Sequence, residues 1–176
     1  TIGGVQYTKQ VYENKNLYFN ANGQLAVIEV TKPVVEDALS KALEAYKKAY
    51  ELDEKHSKDK DISAGIKTIS EKFNQEAYNS YTLGDVKQAE AYFEAAVEAA
   101  AQKPYGQIDT SSLYNAAFTS WSIENFAKAK TLFDKCLSYG YYGDNGEVFA
   151  KLSDCVSRID TTAAGKASAK DYLEQG

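Results

Sequence analysis

The chain has 176 residues, 44% of them apolar and 26% charged, with a formal net charge of −5. That length holds one compact domain or one short array, and the mix is that of a folded chain rather than a disordered one. Lys and Arg are interleaved with Asp and Glu, so there is no basic face for nucleic acid, and no apolar run approaches the roughly 18–20 residues that span a bilayer.

In chain order, Ile2 to Glu13 reads as a first helix, with Gly4 at a close-contact position. Its mate is Pro33 to Leu52, where Ala42, Tyr46, Ala49 and Tyr50 recur on one face and Pro33 suits the first turn. Between them lies an insert, Asn14 to Lys32. Asn22-Gly23 separates Leu17-Tyr18-Phe19 from Leu25–Val30, which predicts a β-hairpin or irregular loop; the alternative is a helix over Gln24 to Glu29. Asp53 to Asp61 carries both charges and reads as a solvated loop, with the sole histidine, His56, as a solvated side chain.

A clearer unit comes next. Ile62, Ile66, Ile69, Phe73, Ala77 and Tyr81 form the stripe of an amphipathic helix. Gly84-Asp85 ends it, glycine relieving left-handed strain and aspartate capping the next helix. That second helix runs from Val86 to Ala101 with Ala89, Tyr92, Phe93, Ala96 and Val97 on one face, and Pro104 and Gly106 break it. The next unit repeats the plan. Asp109 to Ser112 supplies caps, a helix from Ser111 to Ile123 carries Leu113, Ala116, Ala117 and Trp121, and Glu124-Asn125 turns the chain. Its partner, Phe126 to Ser138, carries Ala129, Leu132, Phe133, Cys136 and Leu137. After glycines 140, 143 and 146, one helix holds Val148, Phe149, Leu152, Cys155, Val156 and Ile159. Thr161-Thr162 caps another, Ala163 to Leu173. Cys136 and Cys155 lie on apolar faces and read as two buried thiols, the alternative being a disulfide between neighbouring helices.

Phe73 to Ala100 thus recurs as Leu113 to Gly140. Ala77 matches Ala117, Ser80 matches Ser120, Tyr81 matches Trp121, Ala89 matches Ala129 and Phe93 matches Phe133, while Gly84-Asp85-Val86 matches Glu124-Asn125-Phe126. A repeat of this length, helical on both sides of a polar break, predicts a stacked helical array. The pattern resembles the tetratricopeptide repeat, most closely in Ala89-x3-Phe93 with Ala96, Ala129-x3-Phe133 with Cys136, and Ala42-x3-Tyr46 with Ala49. It departs in the first helices, where Ala77 and Ala117 stand for a glycine and Ser80 and Ser120 for a tyrosine. The resemblance implies an all-α, right-handed superhelical solenoid of antiparallel helix pairs. About four units are expected: 1–53 with the insert 14–32, then 62–104, 109–141, and a shortened 146–176 that frays first. A looser resemblance to envelope-associated repeat proteins of Bacteroidetes-type bacteria implies a bacterial periplasmic or envelope address. The absence of an initial Met at Thr1 fits a trimmed piece of a longer precursor.

The resemblance also implies a groove lined by the first helix of each pair, holding a protein or peptide segment. Carried over, the groove positions are Glu71, Asn74, Tyr78, Tyr81 and Thr82, then Ser111, Tyr114, Phe118, Trp121 and Ser122. Asn74, Tyr78, Tyr81, Tyr114, Phe118 and Trp121 are the binding candidates, since aromatics give large contact area at small entropy cost. The competing reading is that these rings fill core. No basic residue stands at these positions, which argues against capture of an acidic tail and favours an apolar, aromatic-rich or β-strand-like ligand. One histidine and two apolar-face cysteines make too few ligands for a zinc site. Asp144-Asn145-Gly146-Glu147 lacks the alternating acids of a calcium loop and reads as a turn and helix cap. Acids along the helices read as solvated faces. The expectation is a non-enzymatic interaction scaffold without cofactor. Its alternatives are a self-assembly module packing through the array ends and a regulatory piece of a larger protein.

Overall fold

The computed structural model describes residues 1–2 and 4–176. A three-stranded antiparallel sheet, β1 (Thr8–Val11), β2 (Lys15–Phe19) and β3 (Leu25–Val30), precedes seven helices. These are α1 (Ala38–Leu52), α2 (Asp59–Thr82), α3 (Val86–Ala101), α4 (Thr110–Ser122), α5 (Phe126–Ser138), α6 (Glu147–Ile159) and α7 (Ala163–Gln175). Each helix packs on the one before it, and β3 lies against α2. None is long and apolar enough to cross a membrane.

The repeat is written in the core. Ala77 and Ala117, Ala89 and Ala129, Phe93 and Phe133, and Ala96 and Cys136 are all buried. The small residues let the helices approach and the phenyl rings fill the space between them. Three apolar clusters run along the stack, around Ile66 and Phe73, around Ala89 and Phe93, and around Phe133, Leu152 and both cysteines. Cys136 and Cys155 are buried free thiols, and burial pushes each up to about 11. Helix starts match the capping residues: Asp85, Asp109, Asn125 and Thr162 each accept a backbone N–H three residues on. Asp144–Gly146 is a 3-10 turn, but no side chain caps α6.

The helical array holds from α2 onward, while the chain's start differs from expectation. Over its described residues, Ile2 to Glu13 is not a helix; Gly3 lies outside them. Thr8–Val11 pairs with β2 in the register Lys9 to Tyr18, and Tyr18 pairs with Val27 on β3. Val5, Tyr7 and Val11 fall on one side of an extended chain, with Lys9 between them, and the insert supplied the partner strand. Gly4 adopts φ +80 with nothing near a would-be side chain, so it is not a close-contact glycine. The hairpin reading of the insert is the one that forms. Gly23, at φ +73, closes its turn by donating to the Asn20 carbonyl at 2.9 Å.

Pro33 is also not in a first helical turn, because α1 begins only at Ala38. Val34 and Val35 are β-branched and exposed, and Asp37 enters the helix from the left-handed region at φ 52. α2 starts at Asp59, inside the expected loop, after Asp53 accepts Lys58 N–H at 2.6 Å. At the far end, Tyr172 donates to Asp134 at 3.1 Å and pins α7 to α5, and the exposed residues of α7 include Lys166, Lys170 and Glu174.

Candidate functional site

The first helices of the successive pairs, α2, α4 and α6, lie side by side and are tied by side chains. Asn74 on α2 donates to Ser112 on α4, whose hydroxyl donates in turn to Asp109 at 2.7 Å. Asn115 donates to the Tyr78 hydroxyl at 2.9 Å. Trp121 Nε1 on α4 donates to Asp154 on α6 at 2.6 Å. The six candidate residues stand on α2 and α4, and these bonds tie Asn74, Tyr78 and Trp121 each to the neighbouring helix.

They do not share one environment. Tyr78 and Tyr81 are 52% and 43% exposed, whereas Asn74, Tyr114, Phe118 and Trp121 are half-buried. Tyr78 stands edge-on to the buried Phe93, so its ring is held while its outer face stays open. Tyr114 contacts Phe133 in the core as well as Tyr141 and Phe118, and this ring does fill space between helices. Burial, with the Glu147 carboxylate as neighbour, pushes its phenol far up. Phe118 and Trp121 continue the row with centroids 5.8 Å apart. A cavity of about 380 Å³ opens at the Asn74 end, lined by Glu71, Tyr105, Ile108 and Asp109 among others.

Two functional-looking residues escaped the sequence reading. Lys151 on α6 places its ammonium 3.3 Å from the Trp121 ring centroid and 5.1 Å from that of Phe118. The groove positions carried over from the repeat pattern hold no basic residue, but Lys151, outside them, brings a cation to the rings. Glu90 is the other. It is 6% exposed rather than on a solvated face, takes a hydrogen bond from Ser120, and pairs with Lys128 at 3.1 Å. Burial lowers the Lys128 ammonium, but hydrogen bonds to Glu94 and Glu90 outweigh it and the net shift is upward. Glu90 joins α3, α4 and α5 and acts as a structural link. Its helix position alone gave no signal, since Ser120 and Lys128 meet it only in the folded stack.

Residues 74–103, from mid-α2 to just past α3, match the model of the tetratricopeptide repeat. The match supports a tetratricopeptide-repeat protein. No curated protein and no solved structure matches the chain. Tetratricopeptide repeats generally mediate protein–protein interaction, and the family is typically a non-enzymatic scaffold. Among the described residues no group of three or more His, Cys, Asp or Glu is placed to hold a metal ion.

Proposed function

We propose that the chain is an interaction scaffold that holds a peptide segment of another protein along α2, α4 and α6. One observation carries the reading: aromatic rings stand on the first helices α2 and α4, with Tyr78 and Tyr81 open to solvent although the helices beneath them are fully packed. Exposed rings anchored from behind offer contact area that costs little ordering on binding. The fit is to an extended, partly apolar segment, recognised through ring faces and through the amides of Asn74 and Asn115.

Panning the whole chain against a random peptide display library tests this. Enriched peptides are expected to lose at least about tenfold in affinity on a Tyr78→Ala/Tyr81→Ala double variant whose circular dichroism is unchanged. Peptides that bind the double variant as tightly as the parent would refute the groove.

A further inference from the structure

We infer that the α4–α6 end of this face selects an acidic side chain in the bound segment, with Lys151 as its partner. The inference rests on the groove reading above and names the chemistry of its occupant. The Lys151 stem is half-buried and its ammonium sits over Trp121 and Phe118. No carboxylate oxygen lies within 4 Å of it among the described residues, and it makes no hydrogen bond there. Lys67, on α2, is by contrast paired with Glu71 at 3.7 Å.

The acids that could neutralise Lys151 are engaged elsewhere. Asp154, three residues along α6, takes the Trp121 indole N–H at 2.6 Å and faces Arg158 Nε at 3.5 Å. Glu147, one turn back, lies against the Tyr114 hydroxyl. Asp154 thus fixes the Trp121 ring and Glu147 stands beside Tyr114, and the lysine between them keeps three donors for an outside acceptor. An ammonium held by ring faces binds a carboxylate at little ordering cost, because its stem is already placed. The aromatic wall beside it suits an apolar neighbour of that acid in the same segment. A single ammonium over rings offers one charge-assisted contact rather than a polar cage, so an internal Asp or Glu side chain is the occupant.

The same display library, panned in parallel on the parent chain and on Lys151→Met, tests the inference. Methionine keeps the apolar stem and removes the charge. An Asp or Glu at one fixed position is expected on the parent and not on the variant. A Trp-free synthetic version of the best peptide is then titrated against the fluorescence of Trp121, the sole tryptophan. Replacing its acid by Gln or Asn is expected to weaken binding about tenfold on the parent and less than about twofold on Lys151→Met. Lys151→Arg keeps the charge and should retain the preference, which guards against a folding defect in the methionine variant. Peptides without a preferred acid that still depend on Tyr78 and Tyr81 would overturn this inference and leave the groove standing. Peptides indifferent to both tyrosines, or no enrichment at all, would overturn both.

Discussion

The two copies of the repeat turn their helix pairs with the same hydrogen bonds but different residues. Gly84 donates to the Tyr81 carbonyl at 3.0 Å and Asp85 to that of Ser80 at 2.9 Å. In the second copy Glu124 donates to Trp121 at 3.0 Å and Asn125 to Ser120 at 2.9 Å. Both are Schellman turns, which place the pivot residue in the left-handed region. Gly84 sits there at φ +88, and Glu124 at φ +62 with a Cβ. A side chain in that region costs about 1–2 kcal/mol, and a glycine returns about 0.5–1 kcal/mol of this through its freer unfolded state. Glu124 also ends α4 with an acid, where the helix dipole favours a cation, while the same acid favours the start of α5, so these effects roughly cancel. Glu124→Gly should therefore stabilise the chain by about 0.5–1 kcal/mol, and Gly84→Ala should destabilise it by a similar amount. In a chain of this size that corresponds to roughly 1–4 °C in Tm. Urea denaturation followed by circular dichroism gives both values. A Glu124→Gly variant less stable than the parent would mean that the side chain holds the turn, and the comparison of the two copies would fail.

Gly65 packs under the Tyr46 ring, where a methyl group would overlap the ring atoms. Gly65→Ala should cost about 1–3 kcal/mol despite its better helix propensity, and in a Tyr46→Ala background the same change should become stabilising. Lys128→Met leaves Glu90 buried with only Ser120 as partner and should cost about 1–3 kcal/mol in urea denaturation, whereas Glu94→Gln, at a half-exposed site, should cost little. Glu29 takes hydrogen bonds from Asn16 at 2.7 Å and Tyr18 at 2.8 Å, and these, together with nearby Lys9, hold its carboxyl below the ordinary 4.5. Its stabilisation is fully present above that value and is lost as pH falls through the lowered one, so the sheet should loosen in acid. Hydrogen exchange at Tyr18 and Val27 should show the acid step in the parent and not in Glu29→Gln.

The helices from α2 to α7 were legible in the sequence because their signals are local. Ile62, Ile66, Ile69, Phe73 and Ala77 recur at the helical period, and Asp85, Asp109, Asn125 and Thr162 cap within a few residues of themselves. The repeat added the pairing, since Ala89 and Phe93 recur as Ala129 and Phe133 at positions that end up buried. Ile2 to Glu13 was misread because a strand depends on a distant partner, whereas the hairpin of the insert has both strands and its turn close together. Thr8–Val11 is a strand because β2 and β3 pair beyond it, and nothing within Ile2 to Glu13 states that pairing.

Of the proposed binding surface, the sequence determined which aromatic residues stand on the first helices: Tyr78, Tyr81, Tyr114, Phe118 and Trp121 share the expected stripes. Only the tertiary structure decided how each is used. Tyr114 became half core because α5 and α6 close around it, whereas Tyr78 kept an open face. Lys151 entered the row, and Glu90 left the surface, because helices distant in sequence brought Trp121 to one and Lys128 to the other. Helical period specifies a face, but burial and charge pairing depend on which other helix meets that face, and that is a property of the packed stack.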